Sequence, residues 1–468
     1  MLLTLLLASL ARAERPTAGG LWSYESSDVV VFYDEPTGRV RVHYSESGPN
    51  QAAERDSDGS GVPDIVQDTG RIAAESLALF EELGFRPPLP ESDFGLEILG
   101  GSPAFDFYLV DFGGGSDGSF GLDACLEVPR VCAGHMLVEN DFAGSGYASV
   151  TLGLETVVPH ELFHGIQAAY EAELPMWLSE GSATWAERRW DSGSNDYMRL
   201  CDGYLDDTQR PIYKAPGGPA TSWAYGTGIW LDFLGSETGD EVWVIDLLSA
   251  LERESADPVD VVPAMIQVMD DYGVELGPAW LKFSEWNLAT EDRSGVAQSY
   301  DYAKRVGPVV AEGEGESVDD DQRFQPLATT YWRLDHPGGE LSFAIETPTP
   351  ELAFGLHPVD GGLDDGPVQD AVLSWRGETQ SLGDFPAGGY WVWGAYDAYA
   401  DASIKVRVCA GAPDVVAGCE AVDTGDTGDT GTPTDSEGCG GCGGGVPSGL
   451  AWVGGLLLWR RRQNSDHF

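Results

Sequence analysis

Val157–Glu187 reads VVPHELFHGIQAAYEAELPMWLSEGSATWAE, and the rest of the chain is arranged around it. His160, Glu161 and His164 stand in the order H-E-x-x-H. On an α-helix, positions i and i+4 share one face, so both imidazoles can point at one metal ion. Glu161, beside them, can reach a water held by that ion. A catalytic zinc takes three protein ligands and keeps a fourth position for water. Glu180, in Trp177-Leu178-Ser179-Glu180-Gly181, is the expected third ligand. Its spacing from His164 leaves room for one helix to end, a turn near Leu174-Pro175, and a second helix to return. Pro159 disrupts a helix interior, so the first helix is expected to start near Thr156, with Thr156 as N-cap. Pro175 suits the first turn of the second helix, which runs to about Trp190. Val157, Val158, Leu162, Phe163 and Ile166 make the first helix apolar. Buried histidines need partners, which weighs against the alternative of two ordinary histidines on a solvated face.

His is scarce, seven in 468 residues, so the pattern stands out from the composition. H-E-L-F-H followed by W-L-x-E-G-x-A-x-W resembles the gluzincin metallopeptidases, in which two His and a downstream Glu hold zinc. More narrowly, the region resembles a group of secreted-metalloprotease sequences from myxobacteria and their relatives. The marks are Val42-His43-Tyr44, G-V-P-D at Gly61 to Asp64, H-E-L-F-H-G-I-Q at His160 to Gln167, and Tyr225-Gly226 before an aromatic helix. They cover roughly residues 40–290, and the zinc motif is the specific one. The resemblance implies an α+β zincin-like peptidase domain, a mixed sheet plus a helical half. It implies a zinc metallopeptidase, an endopeptidase acting on a peptide or protein substrate. His160, His164 and Glu180 are then the Zn²⁺ ligands, and Glu161 is the general base. Tyr225 matches a position whose hydroxyl stabilises an oxyanion; a Tyr packed by its ring is the alternative. The strand His135–Asn140 lines the cleft and pairs with extended substrate, with His135 as a wall residue and not a ligand. Glu187 either hydrogen-bonds a zinc-ligating histidine or forms a salt bridge with Arg188 or a neighbouring helix.

Outward from this core, residues 1–13, MLLTLLLASLARA, read as a secretory signal peptide ending in A-x-A. The run is too short to span a bilayer as a helix. The formal net charge is −51, which repels phosphate backbones and excludes nucleic acid as a partner. Most of the 77 carboxylates are a solvated acidic surface. Seven cysteines are few for a disulfide scaffold. Cys125 with Cys132, and Cys409 with Cys419, enclose short loops and can each close a disulfide in an exported protein. Cys201 has no obvious mate and reads as a buried thiol.

Val29–Tyr33 reads as a buried strand, and Arg39–Tyr44 alternates as a half-exposed one. His43 reads as structural or surface-exposed. Asp56, Asp58, Ser60 and Asp64 occupy positions 1, 3, 5 and 9 of an EF-hand-type loop with Gly61 at position 6. That points to a structural Ca²⁺; Gln67 at position 12 departs from the pattern, and a plain Asp/Gly surface turn is the alternative. Ile72–Leu83 reads as a helix ended by Gly84. Leu96–Leu99 and Phe105–Val110 read as strands, and Gly113–Gly118 as a flexible loop. Residues 221–235 and the patterns Val242–Leu251, Val261–Met269 and Ala279–Leu288 read as further helices.

The domain reading follows. Residues 14–307 form the metallopeptidase domain and 308–326 an acidic linker. Residues 327–420 form an all-β sandwich of short aromatic strands, a spacer or a binding module. Residues 421–438, with DTGDTGDTGTPTDS, are a disordered tail. Residues 439–468 carry Cys439 and Cys442, an apolar run from Leu450 to Trp459, and Arg460-Arg461-Arg462. This segment resembles a myxobacterial C-terminal sorting signal, placed transiently or permanently in a membrane; a weak membrane anchor is the alternative. The chain is expected to be exported, to the cell surface, the outer membrane or the medium, as a monomer. The competing reading is a calcium-stabilised, non-catalytic surface adhesion protein with a vestigial zinc site.

Overall fold

The computed structural model describes residues 15–16, 22–294, 298–345, 350–360, 367–371, 373–376 and 380–420. The expected signal peptide, the 421–438 tail and the 439–468 segment lie outside the described residues. Among the described residues, no helix is long and apolar enough to cross a membrane.

The first half is a five-stranded sheet with helices on its inner face. Strands β1 (Val30–Asp34) and β2 (Val40–Ser45) form an antiparallel hairpin. Helix α1 (Asp64–Glu82) follows. Next come β3 (Phe105–Val110), β4 (Gly118–Cys125) and β5 (Cys132–Glu139). The order across the sheet is β1-β2-β3-β5-β4. β2, β3 and β5 run parallel, while β4 returns antiparallel to β5 as an edge strand. Alternation along the strands sorts the faces. Val42, Phe107, Leu109, Met136 and Val138 point to the core shared with the helices. Tyr108, Val110 and Leu137 point to the outer face, under Trp22 and Tyr24.

Helix α2 (Val150–Gln167) packs on the inner face, with Phe163 5.3 Å from Phe80 of α1 between ring centroids. Helix α3 (Met176–Trp190) returns after a short turn. Helices α4 (Asn195–Leu205), α5 (Ser222–Gly226), α6 (Gly228–Thr238), α7 (Val244–Ala250), α8 (Val261–Asp271) and α9 (Leu276–Leu288) complete a helical half. Its centre is aromatic: Trp230 lies 5.2 Å from Trp280 and 4.9 Å from Phe283.

Two more sheets follow. They hold β6 (Gly313–Gly315), β7 (Val318–Phe324), β8 (Ala328–His336), β9 (Gly339–Ile345), β10 (Leu352–Val359), β11 (Leu373–Arg376), β12 (Gln380–Phe385), β13 (Gly388–Tyr396) and β14 (Ile404–Gly411), with helix α10 (Pro413–Glu420) last. Their orders are β11-β10-β13-β8-β6 and β12-β9-β14-β7. Side chains from both sheets share one core, where Phe343 meets Phe354 at 4.7 Å. The other side of β8 and β13 is buried as well. Tyr331, Trp391 and Trp393 join the core of the helical half. The Tyr331 hydroxyl donates to the Ser284 carbonyl of α9 at 2.8 Å. The chain is thus α+β, a sheet with helices joined to further sheets that share its core.

Several expectations are corrected. The 308–326 linker is largely strand: β6 and β7 belong to the two later sheets, and Asp319 pairs with Arg407 across β7 and β14. Leu96–Leu99 is not a strand, and Ile98 is exposed there. The Gly113–Gly118 loop ends one residue earlier, because Gly118 opens β4, a strand the sequence reading missed. β1 is exposed, with Phe32 55 % accessible, whereas β2 is buried on both faces. α2 starts at Val150 and not near Thr156, and Ser149 is its N-cap, its side chain accepting from the Leu152 N–H. Pro159 sits inside the helix, where burial of nearly every neighbouring side chain offsets one missing hydrogen bond. Cys125 and Cys132 are joined, Cys409 is disulfide-bonded, and Cys201 is a buried free thiol. The side chain of Cys419 lies outside the described residues.

Candidate metal centre

Helix α2 presents His160 and His164 one turn apart, with ring centroids 5.0 Å from each other. Helix α3 brings Glu180 to meet them. Its Oε2 lies 3.4 Å from His160 Nε2 and 3.6 Å from His164 Nε2. Two glycines explain how α3 gets there. A Cβ on Gly181 would lie 2.3 Å from Thr227 Oγ1, and one on Gly228 would lie 2.7 Å from the Gly181 carbonyl. With only hydrogens at both places, α3 and the start of α6 touch backbone to backbone. On its other side α3 is held by Trp185, 5.9 Å from Phe163 of α2.

The histidine tautomers are set from behind. His160 Nδ1 donates to Glu187 Oε1 at 2.7 Å. His164 Nδ1 donates to Gln167 Oε1 at 2.9 Å. The Gln167 amide nitrogen is committed elsewhere, donating to the Ser179 carbonyl and Ser182 Oγ, both at 2.8 Å. Its oxygen is therefore the atom that faces His164. With each Nδ1 donating, each Nε2 turns a lone pair toward the point that Glu180 Oε2 also faces.

Electrostatics describe the same cluster. Burial opposes charge on His160, but Glu180 and Glu187 outweigh it and hold the imidazole well above its usual range. Burial likewise opposes charge on His164, and Glu180 raises it. Burial would raise Glu180, but the two histidines pull it down to about 2. Burial pushes Glu187 up to about 7, against the pull of His160. Protons on the imidazoles thus supply the positive charge this cluster needs, and a metal ion competes with them for the same lone pairs.

The residues fit a zinc ion. Glu180 Oε2 is buried and has no hydrogen-bond partner. Ligand atoms at about 2.0–2.2 Å from a tetrahedral zinc stand roughly 3.3–3.6 Å apart, which matches the two distances above. Among the described residues, His160, His164 and Glu180 are the one group of three or more His, Cys, Asp or Glu whose ligand atoms come this close together.

Glu161 is buried on the same helix face, and burial raises its pKa against the pull of both histidines. Gly118 of β4 makes its room: a Cβ there would lie 2.6 Å from Glu161 Cγ. A small cavity beside it is lined by Gly118, Tyr147, Val157, His160, Glu161 and Tyr225. The Tyr225 ring centroid stands 5.6 Å from that of His160. Burial and the nearby carboxylates keep the Tyr225 hydroxyl protonated, as a donor must be.

The other expected residues fall out differently. β5, which was to pair with extended substrate, is hydrogen-bonded on both sides, by β3 and β4. Among the described strands β4 stands last in the sheet order, and its Gly118 lies beside Glu161. His135 is not a cleft wall; it points to the outer face and bonds Asp123. His43 is structural, stacked on Tyr108 at 4.3 Å and bonded to Asp106. Glu187 bonds His160, and Arg188 goes instead to Asp232 and Asp301. Asp56, Asp58, Ser60 and Asp64 share one exposed loop, but their oxygens bond within it. Asp56 accepts from the Gly59, Ser60 and Gly61 N–H groups, and Asp64 from Ser57. Gln67 amide nitrogen meets Asp58. The sequence reading gave no role to Gly118, Gly181, Gly228 or the Ser179 and Ser182 contacts. Only the repeated Gly next to motif residues hinted at them. No protein-family model matches the chain and no curated protein matches it, so the reading of the site rests on its own geometry.

Proposed function

We propose that the chain is a zinc-dependent peptidase of zincin-like, gluzincin type, with His160, His164 and Glu180 holding the ion. The observation that carries this reading is the convergence of two Nε2 lone pairs and an orphaned, buried carboxylate oxygen, with Glu161 on the same face. The ion supplies Lewis-acid polarisation of water and of the scissile carbonyl. The chain's own residues do the rest. Glu161 takes the proton of the attacking water on its carboxylate and passes one to the leaving amine nitrogen. Its burial favours the protonated state it must visit. Tyr225 donates its hydroxyl hydrogen to the oxygen that gains negative charge. Glu187 and Gln167 keep the two imidazoles turned. The Cys125–Cys132 disulfide supports export to an oxidising compartment. A structural Ca²⁺ at Asp56, Asp58, Ser60 and Asp64 is a separate proposal, carried by the loop's residue pattern.

The test is cleavage of a mixed peptide library by the purified chain and by Glu161→Gln, with zinc content measured in both. The variant is expected to keep its zinc and lose at least about a hundredfold in rate. Full activity in Glu161→Gln removes the assigned base. Zinc bound with no cleavage by either protein transfers weight to the adhesion reading.

A further inference from the structure

The outer face of the first sheet holds a second buried charged cluster, which the proposed chemistry does not use. Glu91, Asp106 and Asp123 are all buried there, three carboxylates around one point. Asp106 comes from β3, Asp123 from β4, and Glu91 from a short turn of helix before β3. At their centre is the guanidinium of Arg15, itself buried. Its Nε donates to Asp123 Oδ1 at 3.0 Å, and its Nη2 to Asp123 Oδ2 and to Glu91 Oε1, each at 2.6 Å. Its Nη1 donates to Asp106 Oδ2 and to the Tyr108 hydroxyl. All five guanidinium N–H groups are used, which an ammonium group cannot imitate. His43 takes the remaining oxygen of Asp106, at 2.9 Å, and His135 stands 3.2 Å from Asp123. On the same face of the sheet, Trp22 packs on Phe112 and the Tyr24 hydroxyl donates to the carbonyls of His43 and Leu109.

Asp123 is no ordinary strand residue. The β4–β5 register shifts between Leu122 and Ala124, so Asp123 is the extra residue of a β-bulge. A bulge re-aims its side chain and leaves the backbone locally unpaired. Here it turns a carboxylate into the socket on a strand whose one neighbour among the described strands is β5. The opposite end of that strand, Gly118, is the residue that abuts Glu161.

We propose that this face is a guanidinium socket and that Arg15, reaching it from the N-terminal arm, is a latch that ties the bulge of β4 to β3 across β5 and so holds the strand beside Glu161. Removing the guanidinium leaves three buried carboxylates facing one another, a charge relieved by proton uptake or by opening of the bulge, and both cost stability. The latch is independent of metal binding, so its test reads strand β4 and stability, not peptidase activity.

The experiment compares the full chain with its Arg15→Ala and Arg15→Lys variants. Arg15→Ala is expected to lower Tm by about 5–10 °C. Under native conditions its Gly118–Cys125 amides are expected to exchange at least about tenfold faster, with the β8 and β13 amides unchanged. Millimolar methylguanidinium restores both readouts in a saturable way and methylammonium does not; Arg15→Lys recovers only part. Wild-type Tm and exchange in Arg15→Ala overturn the proposal, as does equal rescue by methylammonium or a uniform rise in exchange over the whole chain. If Arg15→Ala does not fold, Asp106→Asn and Asp123→Asn are added to it. Recovery of folding in that triple variant supports the socket, and failure to recover overturns it.

Discussion

Two buried histidine–carboxylate clusters lie on opposite sides of one sheet, and they differ in what compensates their carboxylates. The outer one carries its own cation: Arg15 meets Glu91, Asp106 and Asp123 with every N–H it has. The inner one is compensated by exchangeable protons: Glu180 Oε2 lies 3.4 Å from His160 Nε2 and 3.6 Å from His164 Nε2, and, against burial, the carboxylate raises both imidazoles above their usual range. Burying a charge is costly unless a partner compensates it. A guanidinium is a fixed cation of the chain, whereas the protons of the inner cluster can exchange, which is what the proposed metal reading requires. Glu139 shows a third solution on the same sheet. It accepts from the N–H groups of Phe112 and Asn140, no cation stands beside it among the described residues, and burial pushes its pKa up to about 7. Its compensation is a proton.

Glu180→Ala takes away the orphaned oxygen itself. Outer partners of ligating histidines are worth about 10–100-fold in metal affinity, so loss of a ligand is expected to cost more than a hundredfold. Competition against a zinc indicator reads this directly. Unchanged affinity would mean that the inner cluster is not a metal site, and the contrast with the outer one would collapse.

Glu187→Gln is the milder cut. It keeps an oxygen near His160 Nδ1 but removes the charge behind the ring. Zinc affinity is expected to fall about 10–100-fold with Tm little changed. A large Tm loss at unaltered affinity would make Glu187 a packing residue.

Glu139 has a folded pKa of about 7, raised above its ordinary value. The folded state then binds the proton more tightly than the unfolded chain does. Its stabilising contribution is full below the unfolded pKa, near 4.5, and is lost as pH rises through about 7. Tm measured from pH 4.5 to 7.5 is expected to carry that downward contribution, and Glu139→Gln is expected to flatten it by a few degrees. An unchanged slope in the variant would place the titration elsewhere.

Much of the inner site is legible in local pattern. The i, i+4 spacing of His160 and His164 depends on one helix, and apolar Val157, Leu162 and Phe163 announce that the helix is buried. Glu180 follows from ligand count plus a turn at Pro175. Glu187 is legible as a candidate but not as a choice, because its partner lies 27 residues away on another helix. The outer cluster is not legible at all. Arg15, Glu91, Asp106 and Asp123 share no spacing, and Asp123 reaches the socket only through a bulge that no residue in β4 advertises.

The strands make the same point. Val29–Tyr33 is more apolar than Arg39–Tyr44, yet β1 is exposed and β2 is buried on both faces. Hydrophobic pattern tells which side chains favour burial, not which strand ends up at the sheet's edge or which face an N-terminal arm covers. Local sequence determined the candidate ligand residues and the helix that carries the two histidines, because these depend on neighbours within a turn. The order of elements was legible only in part, since β4 was missed and β6 and β7 read as a linker. The partners behind each ligand, the glycine contacts that seat α3, the edge position of β4 and the filling of the socket came from packing alone. They depend on residues far apart in the chain, whose meeting is set by long-range steric fit and by the need to compensate each buried charge.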